Sequence, residues 1–149
     1  MSIKDLLTED MKQAMKDKES GKLRLSVIRM AKASIKNLEI DQKRDLTDEE
    51  VVTVLMKEVK MRQDSLEEFA KAGRTELVEQ AEQEIAVLKK YLPEQLSNEE
   101  LRELVKASIA ETGAAAAKDM GKVMAAVIPK TKGRADGKRI NAMVRELLQ

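Results

Sequence analysis

The sequence has 149 residues, a formal net charge of +1, no cysteine and no histidine. The missing residue types exclude disulfides, zinc sites built from cysteine and histidine, and every histidine-dependent catalytic arrangement. With one Phe, one Tyr and no Trp, the core must be aliphatic, which favours helices over strands. No apolar leader and no apolar run of about 18 residues is present. We therefore expect a soluble cytoplasmic protein that binds no membrane, no metal and no cofactor.

The first half of the chain reads as four amphipathic helices. Ser2-Ile3-Lys4-Asp5 resembles a capping box and predicts a helix to about Lys18. A second helix begins near Lys22 and ends before a polar loop at 41–45. Thr47-Asp48-Glu49-Glu50 is a complete capping box and opens a third helix that stops at Gly73. The fourth helix starts at Thr75, and its apolar residues from Val78 to Leu92 follow a near-heptad spacing.

The second half predicts about three shorter helices. Pro93 ends the fourth helix, and we place a domain boundary after Leu96, which gives an N-terminal helical bundle at 1–96 and a small C-terminal domain at 97–149. Ser97-Asn98-Glu99-Glu100 is a further capping box for a helix that stops at Gly113. A short helix capped by Asp119 spans about 120–128, and Asp136 can cap the last one.

Basic residues are concentrated near the C-terminus. From Lys118 onward eight basic residues face three acidic ones, a local net of +5, so the remainder of the chain carries −4. Such a cluster can neutralise a phosphate backbone; the alternative is an ordinary solvated surface. No aromatic residue accompanies the cluster, which favours backbone or shape recognition over base stacking. The candidate RNA-binding residues are Lys122, Lys130, Lys132, Arg134, Lys138 and Arg139.

Glycines interrupt the same stretch. Gly121 within a short helix costs about 1 kcal/mol relative to alanine, so either close helix packing or close ligand approach should require it, and packing is the preferred explanation. Gly133 and Gly137 flank a turn in which Asp136 caps a helix. We assign Gly121, Gly133, Asp136 and Gly137 to architecture. The carboxylate pairs lie at helix starts or on solvated faces, and we predict no catalytic residue.

Three segments carry a family resemblance. Tyr91-Leu92-Pro93-Glu94-Gln95-Leu96, Asp119-Met120-Gly121-Lys122-Val123-Met124 and Gly133-Arg134-Ala135-Asp136-Gly137-Lys138 together resemble the GatB/YqeY family, and in particular its stand-alone YqeY-like members. The resemblance implies an all-α protein with an N-terminal helical bundle and a small C-terminal three-helix domain. In larger members the module is the tail of the B subunit of the tRNA-dependent amidotransferase. There the tail contacts tRNA, and the chemistry lies elsewhere in the assembly.

Three hypotheses follow. The first is a non-catalytic helical module that binds tRNA or structured RNA through its basic C-terminal domain. The second is a protein-interaction adaptor whose acidic N-terminal bundle docks on a partner, as the near-heptad face of the fourth helix suggests. The third, a carbon–nitrogen ligase with glutamine as amido-N-donor, rests on family association alone.

Overall fold

The computed structural model describes residues 1–148. Over these residues the chain forms seven α-helices and two short 3₁₀ turns, with no strand, which confirms the all-α prediction. The chain divides into two compact units, Met1–Leu92 and the residues from Pro93 onward. The sequence placed the boundary four residues later, after Leu96. Residues 93–96 belong to the second unit because the Leu96 side chain is buried in its core.

The first unit is a four-helix bundle. Its helices are α1 (Ile3–Lys16), α2 (Lys22–Gln42), α3 (Asp48–Lys71) and α4 (Thr75–Lys89), with a 3₁₀ turn at Lys18–Gly21 between the first two. Helix α3 packs most extensively on α4, and α1 packs on α2. The core is aliphatic, as the composition requires. Its buried members are Leu7, Val27, Ile28, Ala31, Ile35, Leu46, Val51, Leu55, Val59, Ile85 and Leu88.

Side-chain caps fix the starts of α1 and α3. The Ser2 hydroxyl accepts from the Asp5 amide, and the Asp5 carboxylate accepts from the Ser2 amide. Thr47 and Glu50 make the same reciprocal pair. Both boxes satisfy amides that the helix itself leaves without partners, and both were predicted from spacing alone.

The turn between α1 and α2 depends on a close backbone approach at Gly21. A Cβ added to this residue would lie 2.9 Å from the Ala14 carbonyl carbon and Cα, and closer still to the carbonyl oxygen. No side chain fits there without a backbone shift. The sequence marked Gly21 only as a break between helices, so its packing role is a finding of the structure.

The second unit contains three helices, α5 (Asn98–Thr112), α6 (Met120–Lys130) and α7 (Gly137–Leu147), with a 3₁₀ turn at Ala117–Asp119. Helix α6 packs on both α5 and α7, and α5 also packs on α7. Ser97 caps α5 through a full capping box. The core of this unit is a separate cluster, formed by Leu96, Leu101, Val105, Val123, Val127, Ala135, Ile140, Met143, Val144 and Leu148.

Of two helix caps predicted in the second unit, one is confirmed and one is wrong. Gly113 ends α5 in the left-handed region, with φ of 68°, as expected of a C-terminal cap. Asp119, in contrast, does not cap α6 with its side chain. Its carboxylate instead accepts a hydrogen bond of 3.0 Å from the Ala115 amide, because the 3₁₀ turn brings the preceding loop within its reach.

Candidate functional site

Two of the segments that carried the family resemblance form one junction in the second unit. The Leu96 amide donates to the Arg134 carbonyl over 2.8 Å. The Gln95 side-chain amide donates to the Gly133 carbonyl, also over 2.8 Å. These partners lie 38 residues apart in the sequence. The segment that leads into α5 is therefore hydrogen-bonded along the turn that leads into α7.

Two arginines complete this junction. The Arg134 Nε atom donates to the Glu94 carbonyl at 3.1 Å. The Arg139 Nη2 atom donates to the Leu96 carbonyl at 2.8 Å and to the Asn98 side-chain oxygen at 3.1 Å. Every acceptor in these bonds is a neutral oxygen. The bonds consequently fix the two guanidinium groups in place without neutralising their positive charge.

Lys130 is in a different situation. Its Nζ atom lies 2.7 Å from a Glu111 carboxylate oxygen and 3.3 Å from the Ser108 hydroxyl. The carboxylate compensates its charge. The serine next to this lysine is not a nucleophile candidate, because Ser108 is 0% exposed and its hydroxyl donates to the Leu104 carbonyl. Lys130 thus stabilises the packing of α6 on α5.

The remaining three candidate lysines are exposed. Lys132 lies in the turn before α7, and Lys138 lies in the first turn of α7, so both are close in sequence to the two fixed arginines. Lys122 lies in the first turn of α6. It is eight residues from Lys130, which places the two about 12 Å apart along the helix axis. Of the six cations, Arg134 and Arg139 therefore belong to the junction, Lys132 and Lys138 lie near them in the sequence, and Lys122 and Lys130 lie at the two ends of α6.

The four residues assigned to architecture do not all have a structural role that the contacts explain. Gly133 has φ of 70°, a conformation that favours glycine, and Asp136 caps α7 by accepting from the Arg139 amide at 2.8 Å. A Cβ at Gly121 or at Gly137 would meet no atom within 4 Å. The expectation that helix packing requires Gly121 is therefore wrong, since open space surrounds the position of its missing side chain.

Local electrostatics near the junction and α6 follow from hydrogen bonds. The Ser97 amide and hydroxyl hold the pKa of Glu100 below its ordinary value, and the charge of Arg134 contributes further. The Ala115 amide lowers the pKa of Asp119, with a smaller contribution from Lys122. Both carboxylates are therefore ionised at neutral pH. The Glu100 carboxylate therefore partly offsets the positive charge of Arg134, whereas the acceptors bound to Arg139 are neutral oxygens.

Sequence reasoning missed the anchoring residues Gln95 and Asn98. Their partners are a backbone carbonyl and an arginine about forty positions away, and no local sequence pattern predicts such a pairing.

Among residues 1–148, no group of three or more acidic side chains is arranged to hold a metal ion. None of the helices described combines the length and apolar character needed to span a membrane.

The face that suggested an adaptor is used inside the first unit. Ala81, Ile85 and Leu88 of α4 are buried in the bundle, so the near-heptad spacing reflects packing on α3 and α2. Residues 1–92 contain 18 basic and 19 acidic residues, a net charge of −1. The bundle is close to neutral, and most of the acidic excess lies in residues 93–117.

Curated relatives include fungal proteins named Altered inheritance of mitochondria protein 41, mitochondrial. The protein from Pyrenophora tritici-repentis is 33% identical over 147 residues, which covers 95% of this chain and 78% of the relative. The protein from Lachancea thermotolerans is 42% identical over 87 residues, or 58% of this chain and 46% of the relative. The match to the Kluyveromyces lactis protein is 41% over 86 residues, or 57% and 45%. The matched region spans about half the length of the latter two relatives.

These names bear on location and on family. All three relatives are named as mitochondrial proteins, which contradicts the cytoplasmic location expected from the sequence. The family model described as Yqey-like protein matches residues 4–148, a range that includes both helical units and all three segments that suggested the resemblance. The chain belongs to the YqeY-like family.

Proposed function

We propose that the second unit binds the phosphate backbone of tRNA or another structured RNA without catalysing a reaction. The observation that carries this proposal is the pair Arg134 and Arg139, whose guanidinium groups are fixed on neutral oxygens. Lys132 and Lys138 add two exposed cations next to them in the sequence. The two arginines supply positive charge at defined positions, and the two lysines add charge to the same segment of the chain.

Fixed guanidinium groups suit phosphate recognition for a physical reason. A free arginine loses rotamer freedom when it binds, whereas one that is already hydrogen-bonded has lost much of it on folding. The planar guanidinium also presents paired donors to phosphate oxygens. Arg139 uses Nη2 for its internal bonds, and a guanidinium has five N–H donors in all. The interaction requires no base contact, in keeping with the absence of aromatic residues from 118–148.

Gly121 supports a second RNA contact at the first turn of α6. Because an added Cβ would meet open space, internal packing does not explain a glycine in the first turn of α6. A ligand backbone can approach the helix closely at such a position, and Lys122 follows it directly. We assign Lys122 to the periphery of the RNA surface and exclude Lys130, whose charge Glu111 compensates.

Fluorescence anisotropy with labelled, uncharged tRNA across a salt series tests the proposal. The double substitution Lys132→Gln and Lys138→Gln should reduce the slope of log K against log salt by roughly 1.4–1.8, at 0.7–0.9 per phosphate contact. The matched control is Lys57→Gln with Lys60→Gln, which removes the same charge from exposed positions of α3. Absence of salt-dependent binding at low ionic strength, or an equal change in the control, would contradict the proposal.

A second candidate function is a protein adaptor, now motivated by α2 and α3 instead of α4. Met30, Ile40 and Met61 are 53%, 63% and 47% exposed, and the latter two line a groove of about 600 Å³ between these helices. Flexible methionines are common at adaptable binding surfaces. A protein partner that stays bound in stoichiometric amount after nuclease treatment, and is lost on Ile40→Asp, would favour this function over RNA binding.

A further inference from the structure

A second cationic feature lies in the first unit, far along the chain from the proposed RNA surface. Helices α1 and α2 enclose a groove of about 330 Å³. This volume is at the lower end of the range for small-molecule sites, about 300–1,000 Å³. The groove is lined by apolar and by charged side chains, namely Leu7, Ala33, Ile35, Lys4, Lys32, Lys36 and Glu39.

Three lysines converge on this groove, and among the described residues two of them form no ion pair. The Lys32 ammonium donates to the Thr8 hydroxyl at 2.6 Å, an uncharged acceptor. Within residues 1–148, the Lys36 ammonium has no ion-pair partner within 4 Å. Lys32 and Lys36 are four residues apart on α2, an arrangement in which like charges destabilise a helix. An anion between them would relieve that repulsion.

The acidic residue in the groove, Glu39, already has hydrogen-bond partners. One Glu39 carboxylate oxygen accepts from the Lys4 ammonium at 2.6 Å and from the Leu46 amide at 2.9 Å. The Lys4 bond and then the Leu46 bond hold the pKa of Glu39 below its ordinary value, with a further contribution from Lys36. Glu39 is therefore ionised, and three positive charges face one negative charge around the groove.

We propose that the groove between α1 and α2 binds a phosphate group, with Lys32 and Lys36 as its main ligands. The concave wall formed by Leu7, Ala33 and Ile35 lowers the local dielectric and strengthens the attraction between the lysines and an anion. Inorganic pyrophosphate and the diphosphate of a nucleotide are anions with this chemistry. The phosphate can belong to a small molecule or to an RNA backbone, and the experiment below separates these two sources.

NMR titration of the full chain with inorganic pyrophosphate is the test. Amide shifts should concentrate in residues 4–8 and 32–36, and Lys32→Gln with Lys36→Gln should weaken binding by about a hundredfold, since each substitution removes one charged hydrogen bond worth about tenfold. The matched control is again Lys57→Gln with Lys60→Gln, in the same unit and with the same change of charge. The single substitution Lys36→Gln changes an exposed residue and disturbs no ion pair among the described residues, so we expect this variant to stay folded and to lose affinity.

Competition assigns the source of the phosphate. A uridine oligonucleotide that displaces pyrophosphate from the groove identifies an RNA backbone, and displacement by a nucleoside diphosphate but not by the oligonucleotide identifies a small molecule. Either result supports the site. Absence of shifts in residues 4–8 and 32–36 at millimolar pyrophosphate, or equal weakening in the control variant, overturns it. The substitutions at Lys132 and Lys138 should leave the pyrophosphate-induced shifts of residues 4–8 and 32–36 unchanged, so this site and the proposed RNA surface can fail independently.

Discussion

Replacing Arg62 by alanine should destabilise the first unit more than any single surface change. Arg62 is 8% exposed and Glu58 is 5% exposed. The Arg62 guanidinium donates to the Glu58 carboxylate at 2.9 Å and to the Glu84 carboxylate at 3.0 Å. Without it, the buried Glu58 carboxylate keeps only the Ser34 hydroxyl as a side-chain donor among the described residues, at 2.7 Å.

The magnitude follows from the cost of a buried charge without a partner. Removing one member of a buried ion pair typically costs about 3–5 kcal/mol, which is a large part of the roughly 5–15 kcal/mol that stabilises a domain. With a urea dependence of about 2 kcal/mol per molar, a loss of about 4 kcal/mol lowers the unfolding midpoint by about 2 M. The chain offers a selective probe, because its only tyrosine, Tyr91, lies in the first unit and no tryptophan is present.

The assay is therefore urea unfolding followed by tyrosine fluorescence, with Lys60→Ala on the exposed side of α3 as the control. Adding Glu58→Gln to Arg62→Ala should restore part of the loss, since the buried group is then neutral. A midpoint shift in Arg62→Ala no larger than that of the control would refute the reasoning. A double variant that is less stable than Arg62→Ala alone would refute it as well.

Further outcomes can be measured on the same protein. Gly21→Ala should cost about 1–3 kcal/mol because its Cβ would meet backbone atoms, whereas Gly121→Ala should stabilise by up to about 1 kcal/mol; thermal unfolding that ranks them in the opposite order contradicts both assignments. The Arg44 guanidinium chiefly lowers the pKa of Glu50 from 4.5 to about 2, so the stability that this carboxylate contributes is present above pH 4.5 and is lost as the pH falls towards about 2. In NMR titrations Arg44→Ala should raise this midpoint, and an unchanged midpoint would exclude the pair as its cause. Burial, followed by a hydrogen bond to a carboxylate, raises the pKa of Tyr91 above 10.0, so its ultraviolet titration should begin only at higher pH and coincide with unfolding; a free-tyrosine titration curve would rule this out.

Local signals in the sequence predicted most of the helix boundaries. The capping boxes that begin at Ser2, Thr47 and Ser97 are each contained in four consecutive residues, so spacing alone identifies them. The same holds for Gly113 and for the Asp136 cap. These features depend on the backbone of their own helix and on nothing distant.

Features that depend on distant partners were not predictable. Arg62 sits within the apolar row of α3, and its periodicity indicates burial without indicating that Glu84 of α4 will pair with it. The groove lysines at positions 4, 32 and 36 look like separate surface residues until α1 and α2 pack together. The prediction for Gly121 was wrong. The conformational cost of a glycine within a helix suggested that close helix packing requires it, but the structure has open space at that position.

The junction of the second unit also constrains how the protein is made. The Leu96 carbonyl is synthesised 43 residues before Arg139, which donates to it. At about 5–20 residues per second, this segment waits roughly 2–9 s for its partner during translation. Closing a loop of this length costs about 3 kcal/mol in chain entropy before any contact compensates for it. The junction of the second unit can therefore form only after Arg139 has left the ribosome, and until then water hydrogen-bonds to the Leu96 carbonyl.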